Sequence, residues 1–277
     1  MSRASAQSTS TSAYLERSAR FFHAVGAPVL ENLELARELA RLQVGVLRIF
    51  FGFRWRWKEI IQAMQNIGVG SLWIVTIATA FAGLVVTNEI AWHLNQALNT
   101  IAMMPGFTGQ FIMRELAIAI PAFLVISKVG ASITAEVGSM KVTEQIDALK
   151  LLRIDPIAYL VFPRWLACSI SLACLTLIAV AVTQFFAIVM AVSKYGFNTL
   201  EYLNNFRHFV KLIDLGGCVV KSLIYGAVIP LISCAYGFRC KGGAQGVGNA
   251  TTNSVVTSTI TVIVLDFFLT YLFTKLL

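Results

Sequence analysis

Three charged side chains lie within apolar stretches of the sequence, where charge is costly. Arg114 and Glu115 are adjacent, and Asp266 interrupts an apolar run near the end of the chain. A carboxylate inside a membrane span costs a few kcal/mol unless it is neutralised or paired. Arg114, Glu115 and Asp266 are therefore candidates either for structural ion pairs or for sites that bind a proton or a substrate. Both Lys221 and Arg114 are available as partners for Asp266.

Motifs for other kinds of chemistry are absent from the sequence. It contains no phosphate-binding G-x-x-x-x-G-K-[ST] loop, and neither a G-x-S-x-G nor an H-E-x-x-H motif. The five cysteines form no C-x-x-C pair, and the three histidines lack the spacing of metal ligands. We therefore predict no catalytic site, no metal and no cofactor in this chain. Any work that it does must be powered by a gradient or by a partner.

The composition indicates a membrane protein. Hydrophobic residues make up 57% of the chain and charged residues only 13%, whereas soluble domains have about 45–50% and about 25%. An ordinary soluble enzyme, a disordered protein and a disulfide scaffold are excluded. The net charge of +8 favours contact with anionic lipid headgroups. Because no basic stripe is interleaved with aromatic residues, we expect no nucleic-acid binding.

We predict an all-α polytopic fold with five transmembrane helices. Four apolar stretches are long enough to cross a hydrocarbon core of about 30 Å, and they cover 68–88, 165–193, about 215–238 and about 254–274. The polar run 194–214 and the glycine-rich run 242–248 are expected to be loops between these spans.

The second span is less regular. Residues 96–113 are uncharged but contain Pro105 and Gly106, and the uncharged run 116–127 is short. Either a re-entrant segment precedes this span, or the span starts near Phe107 and carries Arg114 and Glu115 inside the membrane. Both alternatives require protein or a wet cavity beside the irregular or charged groups.

Residues 29–60 are predicted to form an amphipathic helix along the cytoplasmic face of the membrane. Steps of three and four residues place seven apolar side chains on one helical face: Leu35, Leu39, Leu42, Val46, Phe50, Phe53 and Trp57. The alternative is a helix that packs on a partner protein. Residues 1–28 are expected to be poorly ordered, and 61–277 form the membrane domain.

The polar segment 136–163 cannot lie in lipid, and we predict a short amphipathic helix at 142–152 within it. The apolar positions are Val142, Ile146 and Leu149, which lie on one helical face. Asp155-Pro156 ends the segment, because proline disfavours a helical residue before it. The helix is either a solvated loop element or a docking element for a partner.

The distribution of Lys and Arg predicts the orientation. Nine of these residues fall in the short segments around 54–58, 136–164 and 239–253, whereas four fall on the opposite side. Because cytoplasmic loops are enriched in Lys and Arg, the N-terminus is expected inside and the C-terminus outside.

Four stretches of the sequence resemble the MlaE (YrbE) permease family, the membrane subunits of ABC transporters that work with MCE proteins. The run 129–149 (VGASITAEVGSMKVTEQIDAL) is similar to the signature of that family. Ile154-Asp155-Pro156 with Pro163-Arg164, the run 243–252 and the run 265–270 resemble its later segments, in the same order. The resemblance covers residues from about 60 to about 274.

The resemblance implies a homodimeric permease of a bacterial inner membrane that moves phospholipids or related lipids. It further implies a cytoplasmic ABC ATPase that holds ATP and Mg, an outer ring of MCE-domain lipid-binding proteins and, in some systems, a STAS-domain protein. Helix 142–152 would couple to the ATPase, and Arg114, Glu115 and Asp266 would lie at the lipid cavity. The implied coupling residues are Glu136, Lys141, Glu144, Ile146, Asp147 and Leu149.

Two alternatives come from other functional classes. The first is a gradient-driven transporter or channel, in which Asp266 and Glu115 are ion-coupled carboxylates. The second is a scaffold that binds partners through the 142–152 helix without transporting anything.

Overall fold

The computed structural model describes residues 33–52, 56–98 and 101–276, which form helices and short connections with no strand in these ranges. The helices are α1 (33–51), α2 (Trp57–Ala97), α3 (Met104–Val142), α4 (Gln145–Leu151), α5 (Ile157–Tyr195), α6 (Thr199–Phe209), α7 (Leu212–Phe238) and α8 (Gly243–Leu276). Five of them, α2, α3, α5, α7 and α8, are long and apolar enough to cross a membrane. This confirms the predicted all-α fold with five membrane-spanning helices. Residues 1–28, which are predicted to be poorly ordered, lie outside the described residues.

The second span is one uninterrupted helix. α3 begins at Met104, and Pro105 lies in its first turn, where its missing N–H removes no helical hydrogen bond. The re-entrant alternative is therefore wrong, and Arg114 and Glu115 lie inside the span. Within the described ranges, four π-helical turns widen the spans, at Gln65–Val69, Ile112–Leu116, Ile126–Gly130 and Ile157–Val161.

The glycines at the start of α3 permit close packing by α6. A Cβ at Gly106 would lie 2.2 Å from the Phe209 ring, and one at Gly109 would lie 2.5 Å from the Phe206 ring. The side-chain amide of Gln110 also donates to the Phe209 carbonyl at 2.8 Å. These glycines therefore allow α6 to pack closely on α3, and they do not interrupt α3.

Two segments predicted as loops are largely helical. Within 194–214, Asn198 caps α6 by accepting from the Leu200 N–H at 3.1 Å, and Asp214 lies in the first turn of α7. The glycine-rich run is also helical from Gly243 onward. At Gly246 a Cβ would lie 1.7 Å from the Lys241 carbonyl oxygen, so this tight helix start requires glycine.

Helix α1 buries the predicted apolar ridge, but against the protein itself. Leu35, Leu42 and Val46 are buried in the main core. Trp57 is an exception because it starts α2 and is exposed, and Phe53 lies outside the described residues. The opposite face of α1 also exposes apolar side chains, including Val44 and Phe51.

Helix α7 is the most buried span and packs against α3, α5 and α8. Hydroxyl groups join three of these helices: Thr134 Oγ1 on α3 lies 3.1 Å from the Ser233 carbonyl on α7 and 2.8 Å from Ser254 Oγ on α8. Such small polar residues allow close helix packing in membranes. Helix α4 lies at one end of this bundle and α6 at the other, and these ends are called the α4 end and the α6 end.

Candidate functional site

The intramembrane charges meet around the ammonium group of Lys221 on α7. Its Nζ lies 3.0 Å from Asp266 Oδ1 on α8 and 3.3 Å from Glu115 Oε1 on α3. The Lys221 side chain is only 4% exposed. Taking a charge out of water is expensive unless it is paired and hydrogen-bonded, so the two carboxylates stabilise this lysine at membrane depth.

Hydroxyl groups complete the shell around these carboxylates. Tyr225 donates to Asp266 Oδ1 at 2.6 Å, and Thr270 donates to Glu115 Oε1 at 2.9 Å. Thr270 Oγ1 also accepts from Lys221 Nζ at 2.7 Å. Hydrogen bonds and ion pairs within the cluster thus join α3, α7 and α8.

Arg114 has a separate partner. Its Nε donates to Asp214 Oδ1 at 2.8 Å, and the Asp214 side chain is almost fully buried. Asp214 Oδ2 also accepts from the Lys211 backbone N–H at 2.9 Å at the start of α7. Charge-assisted pairs of this kind are among the stronger hydrogen bonds in proteins, so Arg114 anchors α3 to the beginning of α7.

A π-helical turn at Ile112–Leu116 places the two adjacent charges. In this turn the backbone hydrogen bonds run from i to i+5, and the Arg114 carbonyl accepts from Lys221 Nζ at 2.9 Å. Neighbouring residues point in different directions on a helix. As a result Arg114 contacts Asp214 while Glu115 contacts Lys221.

The charged cluster is open on one side. Glu115 and Asp266 are 30% and 27% exposed, and Arg114 lines a small cavity of about 30 Å³ together with Asp214, Gly217, Lys221 and Phe273. Such a volume is enough for one water molecule. Charged residues at membrane depth face protein or water rather than lipid tails. The open side of the cluster therefore marks a surface that another protein or a wet cavity must cover.

The segment after α3 forms a second candidate site. Lys141 and Lys150 donate to the two oxygens of Asp147 at 2.9 and 2.7 Å, which ties the end of α3 to α4. Between the helices, Glu144 has a left-handed backbone with φ 59°. These contacts shape a compact helical hairpin at the α4 end of the bundle.

The two ammonium groups hold the pKa of Asp147 at about 2, below its ordinary value of 3.8. A depressed pKa means that the ion pairs contribute fully above the ordinary value and are lost only as the pH falls through about 2. Asp147 is therefore ionised throughout the physiological pH range.

The apolar ridge predicted for this segment is not free for a partner. Ile146 is 2% exposed and belongs to the main core, with Leu149 packed against it. Val142 ends α3 rather than starting the short helix. Instead Leu151 and Leu152 project outward, and Leu151 is 86% exposed. The accessible apolar side chains here are therefore Leu151, which ends α4, and Leu152, which follows it. Neither belongs to the predicted apolar ridge.

The other predicted coupling residues lie beside this hairpin. Glu136 is on α3, where its carboxylate pairs with Arg164 of α5 at 2.7 Å, and Lys141 is on the last turn of the same helix. Among the described residues no group of three or more His, Cys, Asp or Glu side chains could hold a metal ion.

Sequence reasoning identified Arg114, Glu115, Asp266 and Lys221 as members of a charged site but missed Asp214. The sequence places Asp214 in a loop because this residue precedes the apolar run. Carboxylates are favoured in the first turn of a helix, and that preference is the signal that could have identified Asp214.

Comparison with known proteins identifies the fold that holds these sites. The family model described as Permease MlaE matches residues 60–272. A probable ABC transporter permease protein, slr1045 of Synechocystis, is 38% identical over 217 residues, which are 78% of this chain and 81% of the relative. A probable ABC transporter permease protein of Rickettsia felis is 37% identical, covering 78% and 83%. The ycf63 probable permease of Pyropia yezoensis is 33% identical, covering 87% and 93%.

The residues matched by the family model, 60–272, include all five membrane-spanning helices in whole or in large part. They also include the charged cluster and the α4 hairpin. The protein is therefore an integral membrane transport subunit, and the chain belongs to the MlaE permease family of ABC transporter permeases.

Proposed function

We propose that this chain is the permease subunit of an ABC transporter that moves phospholipids or related lipids between membranes. A separate cytoplasmic ATPase binds ATP and Mg and drives the movement. The observation that carries the proposal is the match over residues 60–272 to a family of ABC transporter permeases, in a sequence that has no phosphate-binding loop of its own.

The α4 hairpin is the proposed docking site for the ATPase. It presents Leu151 and Leu152 beside the charged groups of Glu144, Asp147 and Lys150. An exposed apolar pair within a charged rim is typical of a protein interface. Because Ile146 anchors α4 in the core, a push on this hairpin would be transmitted to α3 and α5 rather than absorbed locally.

We propose that the protein works as a homodimer whose axis lies next to the charged cluster. Glu115, Asp266 and Arg114 are partly exposed at membrane depth, and α8 is the least buried of the five spans. A second copy placed against α3 and α8 would cover these groups and leave a cavity between the copies. A cavity with charged walls and apolar surroundings suits a lipid, which has a polar head and apolar tails.

The orientation proposed from the Lys and Arg distribution places the α4 end in the cytoplasm and the α6 end outside. The ATPase then meets the α4 hairpin, and MCE-domain lipid-binding proteins meet the α6 end. A STAS-domain protein is a further proposed partner on the cytoplasmic side. The membrane is proposed to be a bacterial inner membrane.

The gradient-driven alternative has weaker support. It requires a carboxylate that exchanges a proton or ion during transport, but Asp266 and Glu115 both contact Lys221. Tyr225 and Thr270 occupy further acceptor positions on these carboxylates. Contacts from Lys221, Tyr225 and Thr270 favour a structural role in which the cluster holds three helices together.

Purification of the tagged chain from its native membrane tests the proposed assembly. We expect two copies of the chain to co-purify with an ABC ATPase and an MCE-domain protein, together with phospholipid, when the complex is analysed by native mass spectrometry. A chain that purifies as a lone monomer from membranes solubilised in several mild detergents would contradict the proposed homodimer and its docking sites.

A further inference from the structure

A cavity of about 590 Å³ opens between α2, α3 and α5 at the α4 end of the bundle. It is separate from the charged cluster around Lys221, with which it shares no lining residue. Its size falls within the range of about 300–1,000 Å³ that is typical of small-molecule sites. Its walls carry charged and amide side chains, of which only Glu136 is also an implied ATPase-coupling residue.

Two polar stripes face each other across this cavity. On α2, Glu59, Gln62 and Asn66 share one helical face, and on α3 Lys128, Ser132 and Glu136 recur at every fourth residue. The side chains of Gln62, Asn66 and Ser132 form no hydrogen bond with another of the described residues. Three polar groups are thus available to bind a ligand in the cavity.

Lys128 provides the cation of the cavity. Its Nζ donates one hydrogen bond to the Gly70 carbonyl of α2, and among the described residues it forms no ion pair. An ammonium group carries three N–H donors, so two remain for a ligand. Arg164, by contrast, is already bound to Glu136 at 2.7 Å and to the Leu160 carbonyl at 3.0 Å.

The depth of the cavity matches the headgroup layer of one leaflet. Three charged lining residues flank the uncharged runs of the spans: Glu59 precedes 60–88 of α2, Lys128 follows 116–127 of α3, and Arg164 precedes 165–193 of α5. Charged side chains at the ends of apolar spans lie near the boundary between hydrocarbon and headgroups. The headgroup layer extends roughly 5–8 Å beyond the hydrocarbon on each side.

We propose that this cavity binds the headgroup of a zwitterionic aminophospholipid from the leaflet at the α4 end. The phosphate contacts Lys128 and Ser132, and the ammonium group contacts the second carboxylate oxygens of Glu59 and Glu136, whose Oε1 atoms pair with Arg56 and Arg164 at 2.7 Å. The four charged lining residues, two acidic and two basic, sum to zero, which fits a ligand without net charge better than an anion. The site would bind such a headgroup whether or not the protein transports that lipid.

Photolabelling tests this site directly. The purified chain is placed in nanodiscs of phosphatidylcholine that contain a phosphatidylethanolamine with a diazirine close to its glycerol. After irradiation, mass spectrometry locates the lipid adducts. We expect adducts on 59–66 and 128–136, and we expect Lys128→Gln to reduce them about tenfold, the factor that corresponds to one charge-assisted hydrogen bond.

Matched variants separate this effect from misfolding and from general attraction of lipid. Lys128→Arg keeps the charge and should retain most of the labelling, whereas Lys58→Gln removes a lysine that does not line the cavity and should change nothing. Equal labelling by a diazirine phosphatidylglycerol, or unchanged labelling in Lys128→Gln, would overturn the proposal. Full competition by millimolar soluble phosphoethanolamine would also overturn it, since the ligand would then be a free small molecule. Failure of this test leaves the proposed permease function intact, because that function rests on other residues.

Discussion

Replacement of Lys221 with methionine is expected to destabilise the protein by about 3–5 kcal/mol, the cost of removing one partner from a buried ion pair. The variant keeps most of the length of the side chain but leaves Glu115 and Asp266 without the ammonium group that both contact. It also removes the bond from Lys221 to the Arg114 carbonyl. Thermal unfolding of the purified variant, followed by circular dichroism in detergent, measures the loss.

The double variant Lys221→Met with Asp266→Asn provides the decisive comparison. It removes one of the two uncompensated carboxylates, so we expect it to be more stable than Lys221→Met alone. Lys275→Met serves as a control, because Lys275 lies in the last turn of α8 over Tyr271 and outside the cluster. If Asp266→Asn alone abolished transport with no loss of stability or assembly, the structural role would be wrong and the ion-coupled alternative would be favoured.

The second large effect is expected at the α4 hairpin. Replacing Leu151 and Leu152 with aspartate should abolish ATPase binding, because each substitution would bury an unpaired carboxylate in the proposed interface. Both side chains are exposed, so the fold should be retained. Co-purification of the ATPase with the variant, compared with the unaltered chain, measures the effect.

A second pair of exposed leucines controls for the general effect of added charge. Leu200→Asp with Leu212→Asp places the same charges at the α6 end, where we expect the ATPase to remain bound. Ile146→Asp is less informative, because Ile146 is buried in the core and the variant would lose binding through unfolding. Retention of the ATPase by Leu151→Asp with Leu152→Asp would exclude this face of α4 as the docking site.

The spans were predictable because length and hydropathy determine which helices cross a bilayer. Their ends were not, because α2 and α5 continue for several residues into polar sequence where neighbouring helices stabilise them. The amphipathic pattern of α1 and α4 correctly indicated a buried face for Leu42 and Ile146. Periodicity cannot tell whether that face packs on the membrane, a partner or the chain itself, and here it packs on the chain itself.

The members of the charged cluster could be named from the sequence, but their pairing could not. Glu115 and Lys221 are far apart along the chain, and Arg114 and Lys221 were equal candidates as the partner of Asp266. The choice depends on how α3, α7 and α8 pack and on the π-helical turn at Ile112–Leu116, neither of which leaves a clear local pattern. The 590 Å³ cavity was missed for the same reason, since its residues come from three helices.

We propose that this chain supplies the membrane passage and that a separate ATPase supplies the energy for transport. The most direct measurement is transfer of fluorescent phospholipid out of proteoliposomes that contain the chain, with or without the co-purified ATPase and MCE-domain protein. We predict transfer only when ATP and all three components are present, and no ATP hydrolysis by the chain alone. Transfer by the chain alone that follows an imposed proton gradient, or ATP hydrolysis without the ATPase, would contradict the account.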